Sequence, residues 1–412
     1  MLKKILIICD EFPPGFGPRM GYISKYLLKY NWQVFVVSPL YENNTNHLID
    51  LVPISVNVTH IFVSSDDIST FGKRKIRRFA RAFIFGPFVK GTHTITNMVN
   101  ACKEIIEHNK INLILCSSSS LFPIPIAYKL SKVYSLPYMI DLRDIYEQYP
   151  ADKNICMRIS FNILRYRRNY FLRKASALTT ISKWHLTILK KINPNSHLIY
   201  NGFDPELFFT IEMPKNKVFQ IKYTGTISTG GIGMRDPNML FNTIKSLHKA
   251  NIISPQTFRI QFYTNSYTAE LISSLSKQYE IFEYFEVFAP VPVKEVPQIL
   301  ATADILLILA NKSSNKGPKG IITTKIFEYM AMKKPILCIP SDDSFIKDMI
   351  ITANVGFAAE NQEAAYEYIK NKYEEWKNDI PSSFSPDMDY INSYSRISQA
   401  EDFSNLFNKI LS

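Results

Sequence analysis

A lysine and a glutamate three residues apart mark the segment of this sequence with the clearest chemistry. Lys325 and Glu328 follow an apolar, strand-like run at residues 303–310 and a polar loop at residues 311–320. They open a predicted helix that leads into another apolar run, KPILCI. Open α/β sheets bind ligands where such helices begin, beyond the carboxyl ends of the strands. The pattern predicts a ligand site at the start of this helix.

The residue types at this helix start suit a nucleotide. Uncapped backbone N–H groups at Thr323 and Thr324 and the partial positive charge of the helix terminus favour a diphosphate, and Lys325 adds a full positive charge. Glu328 lies on the same helix face, where its carboxylate can accept hydrogen bonds from both hydroxyls of a ribose. The alternative is an ordinary solvated ion pair between Lys325 and Glu328, which this spacing also produces.

Apolar runs of strand length alternate with helical patterns along the whole chain. Seven strands and six helices are predicted in the first half, and six strands and six helices in the second. The first half includes helices at 18–30 and 74–84, and a last helix is predicted at 390–411. This alternation is typical of doubly wound parallel sheets in an α/β protein.

The length and composition indicate more than one globular domain. A chain of 412 residues, 46% of them hydrophobic, is long enough for two domains of about 200 residues each. We place an N-terminal Rossmann-like domain at 1–203 and a C-terminal Rossmann-like domain at 204–385. Residues 386–412 form a C-terminal segment that contains the last helix.

Several stretches of the sequence resemble the glycosyltransferases of family 4. The segment KIFEYMAMKKPIL, Lys325 to Leu337, is similar to their nucleotide-binding helix and the strand that follows it. The N-terminal stretch LKKILIICDEFPPGFGPRMGYISKYLLKYNWQVFVVSP is similar to their first strand, glycine-containing loop, first helix and second strand. KYTGTISTGGIGMRDPNML resembles the start of their nucleotide domain. The resemblance covers nearly the whole chain.

This resemblance implies the GT-B fold, in which two Rossmann-like domains face a cleft and the C-terminal helix packs back on the N-terminal domain. It implies a metal-independent hexosyltransferase that retains anomeric configuration. The C-terminal domain would bind a nucleotide-sugar donor and the N-terminal domain a lipid-linked or cell-surface polysaccharide precursor. Glu328 would hold the donor ribose, and Lys325 would lie near the diphosphate. Many members carry a second glutamate where this chain has Gly320, so sugar contacts must come from elsewhere.

Other residues join these as candidates for the site. Arg235, Lys325 and the helix start at Thr323 and Thr324 are suited to stabilise negative charge on a departing diphosphate. Asp144 follows a predicted strand in the run DLRD and could bind an acceptor hydroxyl, or could cap the next turn. Ser117 to Ser120 likewise end a strand and either line the site or form a turn. The remaining predicted ligand contacts are Gly225, Thr226, Gly15, Gly17 and Arg19.

Metal, disulfide and membrane-spanning signals are weak. Asp387-Met388-Asp389 matches a short metal motif but falls in a Pro/Ser-rich breaker, where we interpret it as a turn. We expect no metal and no cofactor beyond the donor co-substrate. Five scattered cysteines, a short N-terminal apolar run and the absence of any apolar stretch of 18 residues favour a cytoplasmic protein.

Positive charge is concentrated in the first half. Residues 1–205 hold 27 Lys and Arg against 13 Asp and Glu, and the remainder holds 21 against 23. The excess clusters at 72–90 and 158–174, where basic residues alternate with aromatic and aliphatic ones at roughly helical spacing. Such helices are typical of peripheral contact with an anionic membrane. A solvated helix packed on its own core and a nucleic-acid surface are the alternatives, although the sequence contains no nucleic-acid-binding motif.

Two other functions fit the same residues. An inverting GT-B transferase or a sugar-nucleotide epimerase would share the architecture and the nucleotide site. A catalytically inert scaffold of a polysaccharide-assembly complex would bind nucleotide sugar without turnover. Activity of the purified protein distinguishes these from the retaining transferase.

Overall fold

The computed structural model describes residues 2–41, 46–63, 92–148, 155–208, 216–227, 235–310, 320–341, 345–380 and 385–412. The chain forms two compact units, which we name the first domain and the second domain. The first domain comprises Met1–Asn201 together with Arg396–Ser412, and the second comprises Gly202–Ser395. In the part of the chain that the structure describes, no helix is long and apolar enough to cross a bilayer.

The first domain is built on a seven-stranded parallel sheet. Its strands are β1 (Lys3–Cys9), β2 (Trp32–Tyr41), β3 (Asn57–Val63), β4 (Leu113–Ser118), β5 (Tyr138–Leu142), β6 (Ala177–Thr180) and β7 (Ser196–Leu198). Its helices before residue 202 are α1 (Pro18–Leu27), α2 (Thr92–Asn109), α3 (Ile124–Tyr134), α4 (Ile155–Leu172) and α5 (Lys183–Lys190). Helices on both faces bury the central strands, which is why residues 5–9 of β1 and residues 113–116 of β4 are continuous apolar runs.

The strand order is β3-β2-β1-β4-β5-β6-β7. Ile5 of β1 lies opposite Val34 of β2 on one side and Leu113 of β4 on the other. The direction of winding therefore reverses between β1 and β4. At such a reversal the connecting segments diverge and leave a crevice beyond the carboxyl ends of the two strands. In this domain the crevice lies beyond Cys9 and Ser118.

The second domain repeats the architecture with six parallel strands in the order β10-β9-β8-β11-β12-β13. The strands are β8 (Phe219–Thr224), β9 (Phe258–Tyr263), β10 (Phe285–Phe288), β11 (Ile305–Leu309), β12 (Ile336–Ile339) and β13 (Gly356–Ala358). The helices are α6 (Pro205–Phe208), α7 (Asn238–Lys249), α8 (Ser266–Gln278), α9 (Val296–Ala301), α10 (Lys325–Ala331), α11 (Phe345–Thr352), α12 (Gln362–Lys377) and α13 (Met388–Asn392). Here the winding reverses between β8 and β11, so the crevice lies beyond Thr224 and Leu309.

The predicted fold class is confirmed, and all thirteen predicted strands are present. The first helix ends earlier than predicted: a 3₁₀ turn at Leu28–Tyr30 follows it, and Asn31 closes that turn in the left-handed conformation with φ 61°. The helix predicted at 74–84 lies outside the described residues. The D-x-D segment is a helix start, because the Asp387 side chain accepts a hydrogen bond from the Tyr390 backbone N–H at 2.9 Å.

The last predicted helix is divided into α13 and α14 (Arg396–Leu411), and α14 belongs to the first domain. It packs on α1 and on the start of β2. The indole N–H of Trp32, which is 1% exposed, donates to the Ser404 hydroxyl at 3.0 Å. The Trp32 and Phe407 rings meet edge to face with centroids 5.2 Å apart. A buried aromatic cluster therefore joins the two ends of the chain.

A buried ion pair fastens α1 to the centre of the first sheet. The Arg19 guanidinium makes a bidentate pair with Asp141, with N–O distances of 3.1 and 3.0 Å. Its remaining N–H groups donate to the carbonyls of Ile199 and Tyr200 and to the Asn201 side chain. All five guanidinium N–H groups are thus used inside the domain. This gives Arg19 a structural role in place of the ligand contact that the sequence suggested.

The same carboxylate accepts two more hydrogen bonds. Ser117 Oγ and Thr179 Oγ1, from the strands on either side of β5, donate to Asp141 at 2.9 and 2.8 Å. Burial alone would raise the pKa of Asp141, but the Arg19 charge and these hydrogen bonds outweigh it and hold that pKa below its ordinary value. Asp141 therefore stays ionised in the core and connects β4, β5, β6 and α1.

We expect Asp141→Asn to destabilise the first domain by about 3–5 kcal/mol, because the substitution leaves the buried Arg19 charge without its counter-ion. The pKa of Asp141 in the folded protein lies below its ordinary value of ~4. The extra stability that ionised Asp141 gives the wild type is therefore fully present above pH ~4, and it is lost as the pH falls through the lower pKa of the folded state. Urea denaturation at pH 7 and at pH 3 measures both effects. The control is Glu104→Gln on the exposed surface of α2, and equal stabilities of the two variants would refute the assignment.

Candidate functional site

The crevice of the second domain is formed by the residues that follow β8 and by α10. Lys325, the first residue of α10, extends its side chain across the end of β8. A Cβ atom on Gly225 would lie 2.6 Å from both Cε and Nζ of Lys325. Gly225 also has φ 120°, in the left-handed region that other residues disfavour. The backbone conformation therefore favours glycine here, and the missing side chain leaves the space that the end of the lysine occupies.

One tyrosine contacts this lysine, and a second fixes the helix that carries it. Lys325 Nζ lies 5.3 Å from the centroid of the Tyr223 ring, within cation–π range. Tyr329, one turn further along α10, is fully buried, and its hydroxyl accepts a hydrogen bond from the Thr224 backbone N–H at 3.2 Å. The contact fixes α10 against the end of β8. The first turn of the helix is thereby positioned at the reversal of strand order.

Positive charge accumulates at this point. Arg235 Nη1 donates to the carbonyl and the hydroxyl of Thr226, at 3.1 and 3.3 Å. Burial, and to a smaller extent the charge of Arg235, lower the pKa of Lys325 to about 8, against the opposing effect of Glu328. The ordinary value for lysine is about 10.4. A second positive charge and partial burial together make this ammonium a site for an anion.

The other predicted residues of this segment surround Lys325. Thr324 occupies the N-cap position of α10 and makes no side-chain capping bond there. Glu328 lies one turn into the helix, half-buried, and close enough to Lys325 to influence its pKa. Gly320 ends the preceding loop with φ 71°. The structure thus brings Lys325, Glu328, Arg235, Thr226 and Gly225 together, with Thr323 and Thr324 at the helix start, and their role toward a nucleotide stays a prediction.

A second polar cluster lies at the crevice of the first domain. Asp10, which directly follows β1, accepts hydrogen bonds from Ser118 Oγ at 2.9 Å and from the Ser119 backbone N–H at 3.0 Å. Arg143 Nη2, beyond the end of β5, donates to the other Asp10 oxygen at 2.8 Å. Ser120 Oγ approaches the same carboxylate at 3.4 Å. The serines that end β4 therefore form a turn around Asp10, the second of the two roles considered for them.

Two carboxylates beside this cluster differ in their surroundings. Asp144 accepts a hydrogen bond from Gln148 Nε2 at 2.7 Å, within the turn that follows β5. The backbone cap of this turn comes from Gln148, whose Oε1 accepts from the Ile145 N–H at 3.1 Å. The predicted contact of Asp144 with an acceptor hydroxyl stays a prediction. Glu11 has a side chain that is 44% exposed, 3.7 Å from Arg143 Nη1. Burial and the neighbouring Asp10 raise the pKa of Glu11, against the effect of Arg143.

The glycine-containing loop after β1 is packed against itself. A Cβ atom on Gly17 would lie 2.6 Å from the carbonyl oxygen of Glu11. Gly15 is buried within the same loop. Gly17 is therefore needed for the close approach of backbone to backbone, and the structure gives it this structural role.

The sequence analysis missed Tyr223, Tyr329, Asp10, Glu11 and Arg143. A signal existed for most of them. Asp10 and Glu11 follow the first buried strand directly, and Tyr329 lies four residues after Lys325, on the same helix face. Nothing in the pattern distinguished Tyr223 from Phe219, the other aromatic residue of β8. Among the described residues, no group of three His, Cys, Asp or Glu side chains could hold a metal ion.

Comparison with known proteins gives structural relatives alone. No family model matches the sequence, and no curated protein matches it. A glycosyltransferase from Rickettsia africae is similar at 14% identity with a TM-score of 0.63, over 100% of this chain and 99% of that one. HepE from Anabaena, in complex with UDP and glucose, is similar at 14% identity with a TM-score of 0.62, over 99% of this chain and 100% of that one. WaaG, a glycosyltransferase involved in lipopolysaccharide biosynthesis, is similar at 12% identity with a TM-score of 0.58, over 98% of this chain and 99% of that one.

Identities this low establish the fold and leave the function open. The similarity extends over both domains and nearly the full length of each relative. Membership of family 4 stays a prediction. The chain has the GT-B fold of nucleotide-sugar-dependent glycosyltransferases.

Proposed function

We propose that this protein is a glycosyltransferase that moves a sugar from a nucleotide-diphosphate sugar to a hydroxyl group. The observation that carries the proposal is the pair of cations, Lys325 and Arg235, at the strand reversal of the second domain. Burial and the neighbouring charge depress the pKa of Lys325 to about 8. Two like charges held together in this way are unfavourable until an anion neutralises them. A diphosphate matches their charge.

The same pair serves catalysis as well as binding. As the bond between the sugar and the diphosphate breaks, negative charge grows on the departing phosphate oxygens. Preorganised positive groups stabilise that charge more strongly in the transition state than in the ground state. Lys325 already lies over the Tyr223 ring, in the space that Gly225 leaves open, so little reorganisation is needed when the charge develops. The helix start at Thr323 and Thr324 adds its N–H groups.

Glu328 is assigned to the ribose of the donor. It lies one helical turn after Lys325, so a nucleotide whose diphosphate contacts Lys325 would place its ribose beside this carboxylate. The sugar itself needs contacts from other parts of the chain, because Gly320 offers no side chain where many relatives have a glutamate. Resemblance to family 4 supports retention of anomeric configuration.

The acceptor is assigned to the first domain. Its crevice carries Asp10, Glu11 and Arg143, groups that can hydrogen-bond sugar hydroxyls. We propose a lipid-linked or cell-surface polysaccharide precursor that is extended in the cytoplasm. The family resemblance and the lipopolysaccharide role of the structurally similar WaaG support this assignment. A thermal-shift screen of UDP-, GDP- and ADP-sugars, followed by release of the nucleoside diphosphate, tests the proposal. Binding without turnover on any acceptor would favour an inert scaffold.

Glu328→Gln should weaken donor binding tenfold or more, because each charge-assisted hydrogen bond to a ribose hydroxyl contributes about 1.5–3 kcal/mol. The thermal stability of the free protein should be unchanged. Calorimetric titration with the ribose and 2′-deoxyribose forms of the best nucleotide completes a double-mutant cycle. The loss of the 2′-hydroxyl should be costly for the wild type and nearly neutral for Glu328→Gln. Equal cost in both proteins would remove Glu328 from the ribose site.

Nucleotide affinity should fall as the pH rises above about 8, where Lys325 loses its proton in the free protein. Bound diphosphate raises the pKa of that ammonium, so binding in this range takes up a proton and weakens by up to about tenfold per pH unit. Lys325→Met should bind more weakly and show no such dependence between pH 8 and 9.5. Lys277→Met, on the exposed surface of α8, is the control and should keep the wild-type profile. An unchanged profile in Lys325→Met would contradict the assignment.

Turnover should persist in EDTA, because Lys325 and Arg235 supply the charge that stabilises the leaving diphosphate. Lys325→Ala and Arg235→Ala should each lower kcat by about 10²–10³, the range found on removing a group that stabilises charge in a transition state. Single-turnover measurement of nucleoside diphosphate release separates this step from binding. Activity that is lost in EDTA and restored by manganese would overturn the assignment.

A further inference from the structure

One face of α4 exposes large apolar side chains in a line. Ile159, Tyr166 and Tyr170 are 54%, 73% and 46% exposed. Their spacing of seven and four residues places them on the same side of the helix. The opposite side carries Leu164 and Phe171, which are buried in the core of the first domain. The exposed line is therefore separate from the face that the fold uses.

Basic residues flank this line, and acidic ones are absent from the sequence around it. Residues 153–203 contain ten Lys or Arg and no Asp or Glu. Arg168 is buried in an ion pair with Glu147 and does not contribute to the surface. Arg158, Arg173 and Lys174 are exposed. Lys174 Nζ lies 4.8 Å from the ring of Tyr170, so positive charge and aromatic surface are adjacent.

The same character continues onto α3, which also contains no acidic residue. The Tyr128 ring of α3 meets the Tyr170 ring edge to face, with centroids 6.0 Å apart. Lys129, Lys132 and Val133 are exposed on the turns next to Tyr128. We name the whole surface the α3–α4 face; it consists of Lys129, Lys132, Val133, Arg158, Ile159, Tyr166, Tyr170, Arg173 and Lys174.

We propose that the α3–α4 face docks the first domain on an anionic lipid surface. Lysine and arginine are attracted to anionic headgroups. Tyrosine is favoured at the membrane–water interface, because its ring is apolar and its hydroxyl group can stay hydrated. A helix that faces only water would account for the basic residues, but it would not explain why the large side chains of Ile159, Tyr166 and Tyr170 are aligned and exposed. The inference extends the proposed function, from which it takes the lipid-linked acceptor, and places the acceptor-binding domain at the membrane.

Vesicle co-sedimentation tests the charge. The full chain should sediment with vesicles that contain anionic phospholipid, and should stay in the supernatant with neutral vesicles or at high salt, because exposed charges are screened. The triple variant Arg158→Gln, Arg173→Gln, Lys174→Gln should bind anionic vesicles at least tenfold more weakly. The matched control, Lys249→Gln, Lys277→Gln, Lys294→Gln, removes the same charge from the second domain. Equal losses in both triple variants would overturn the proposal.

Fluorescence tests the aromatic line independently. In Tyr166→Trp the new indole should be quenched by brominated anionic lipid beyond the quenching of the three native tryptophans. Tyr267→Trp, at a position that is 61% exposed in the second domain, should show no added quenching. Equal quenching in the two variants would show that the α3–α4 face is not at the lipid.

Two further measurements separate this inference from its alternatives. Nucleotide affinity of the basic-residue triple variant should equal that of the wild type, so failure of the transferase assignment and failure of the lipid assignment are distinguishable. Single-stranded RNA and DNA serve as competitors of vesicle binding. Binding to nucleic acid that is tighter than binding to vesicles, and that is lost in the same triple variant, would replace the membrane with nucleic acid as the partner.

Discussion

Both domains depend on the same topological constraint, the reversal of winding in a parallel sheet. Parallel strands need crossover helices, and those helices must cover both faces of the sheet. At one point in each sheet consecutive connections therefore leave in opposite directions. Such a reversal leaves a crevice, and the carboxyl ends of two central strands open into it. Asp10 and Ser118 occupy this position in the first domain, and Gly225 and Lys325 are beside it in the second.

The two crevices use this position differently. In the first domain Asp10 is matched by Arg143 and accepts hydrogen bonds from the serines at the end of β4, and Glu11 adds a second carboxylate beside Arg143. In the second domain like charges are brought together, with Arg235 and Lys325 at the end of β8. The carboxylates and guanidinium of the first crevice can hydrogen-bond hydroxyl-rich ligands, whereas the two positive charges of the second suit an anion. Under the proposed function, this difference assigns the donor to the second domain and the acceptor to the first.

The sequence was sufficient for the fold, but not for the roles of several polar residues. Strand and helix periodicity is a local property, so all thirteen strands could be predicted. Lys325 and Arg235 could be expected at one place because charge at a helix start and after a strand is also local, and their role toward a nucleotide stays a prediction. The role of Arg19 was mistaken because its partner Asp141 is 122 residues away, and only tertiary packing reveals that all its donors are used. Gly225 was assigned to the ligand, whereas the structure shows that it makes room for the lysine.

The return of α14 to the first domain has a consequence for the order in which the protein can be completed. Trp32 and the adjoining face of α1 are covered by Phe403 and Phe407, residues from the last turns of the chain. During synthesis this apolar surface has no partner until the whole second domain has been made, because Gly202–Ser395 lies between. Domains generally fold as units from the N-terminus during synthesis. Here the first domain is synthesised first but can complete its core only after the second domain has been made. If translation stops before residue 396, the apolar surface that α14 covers stays exposed to water.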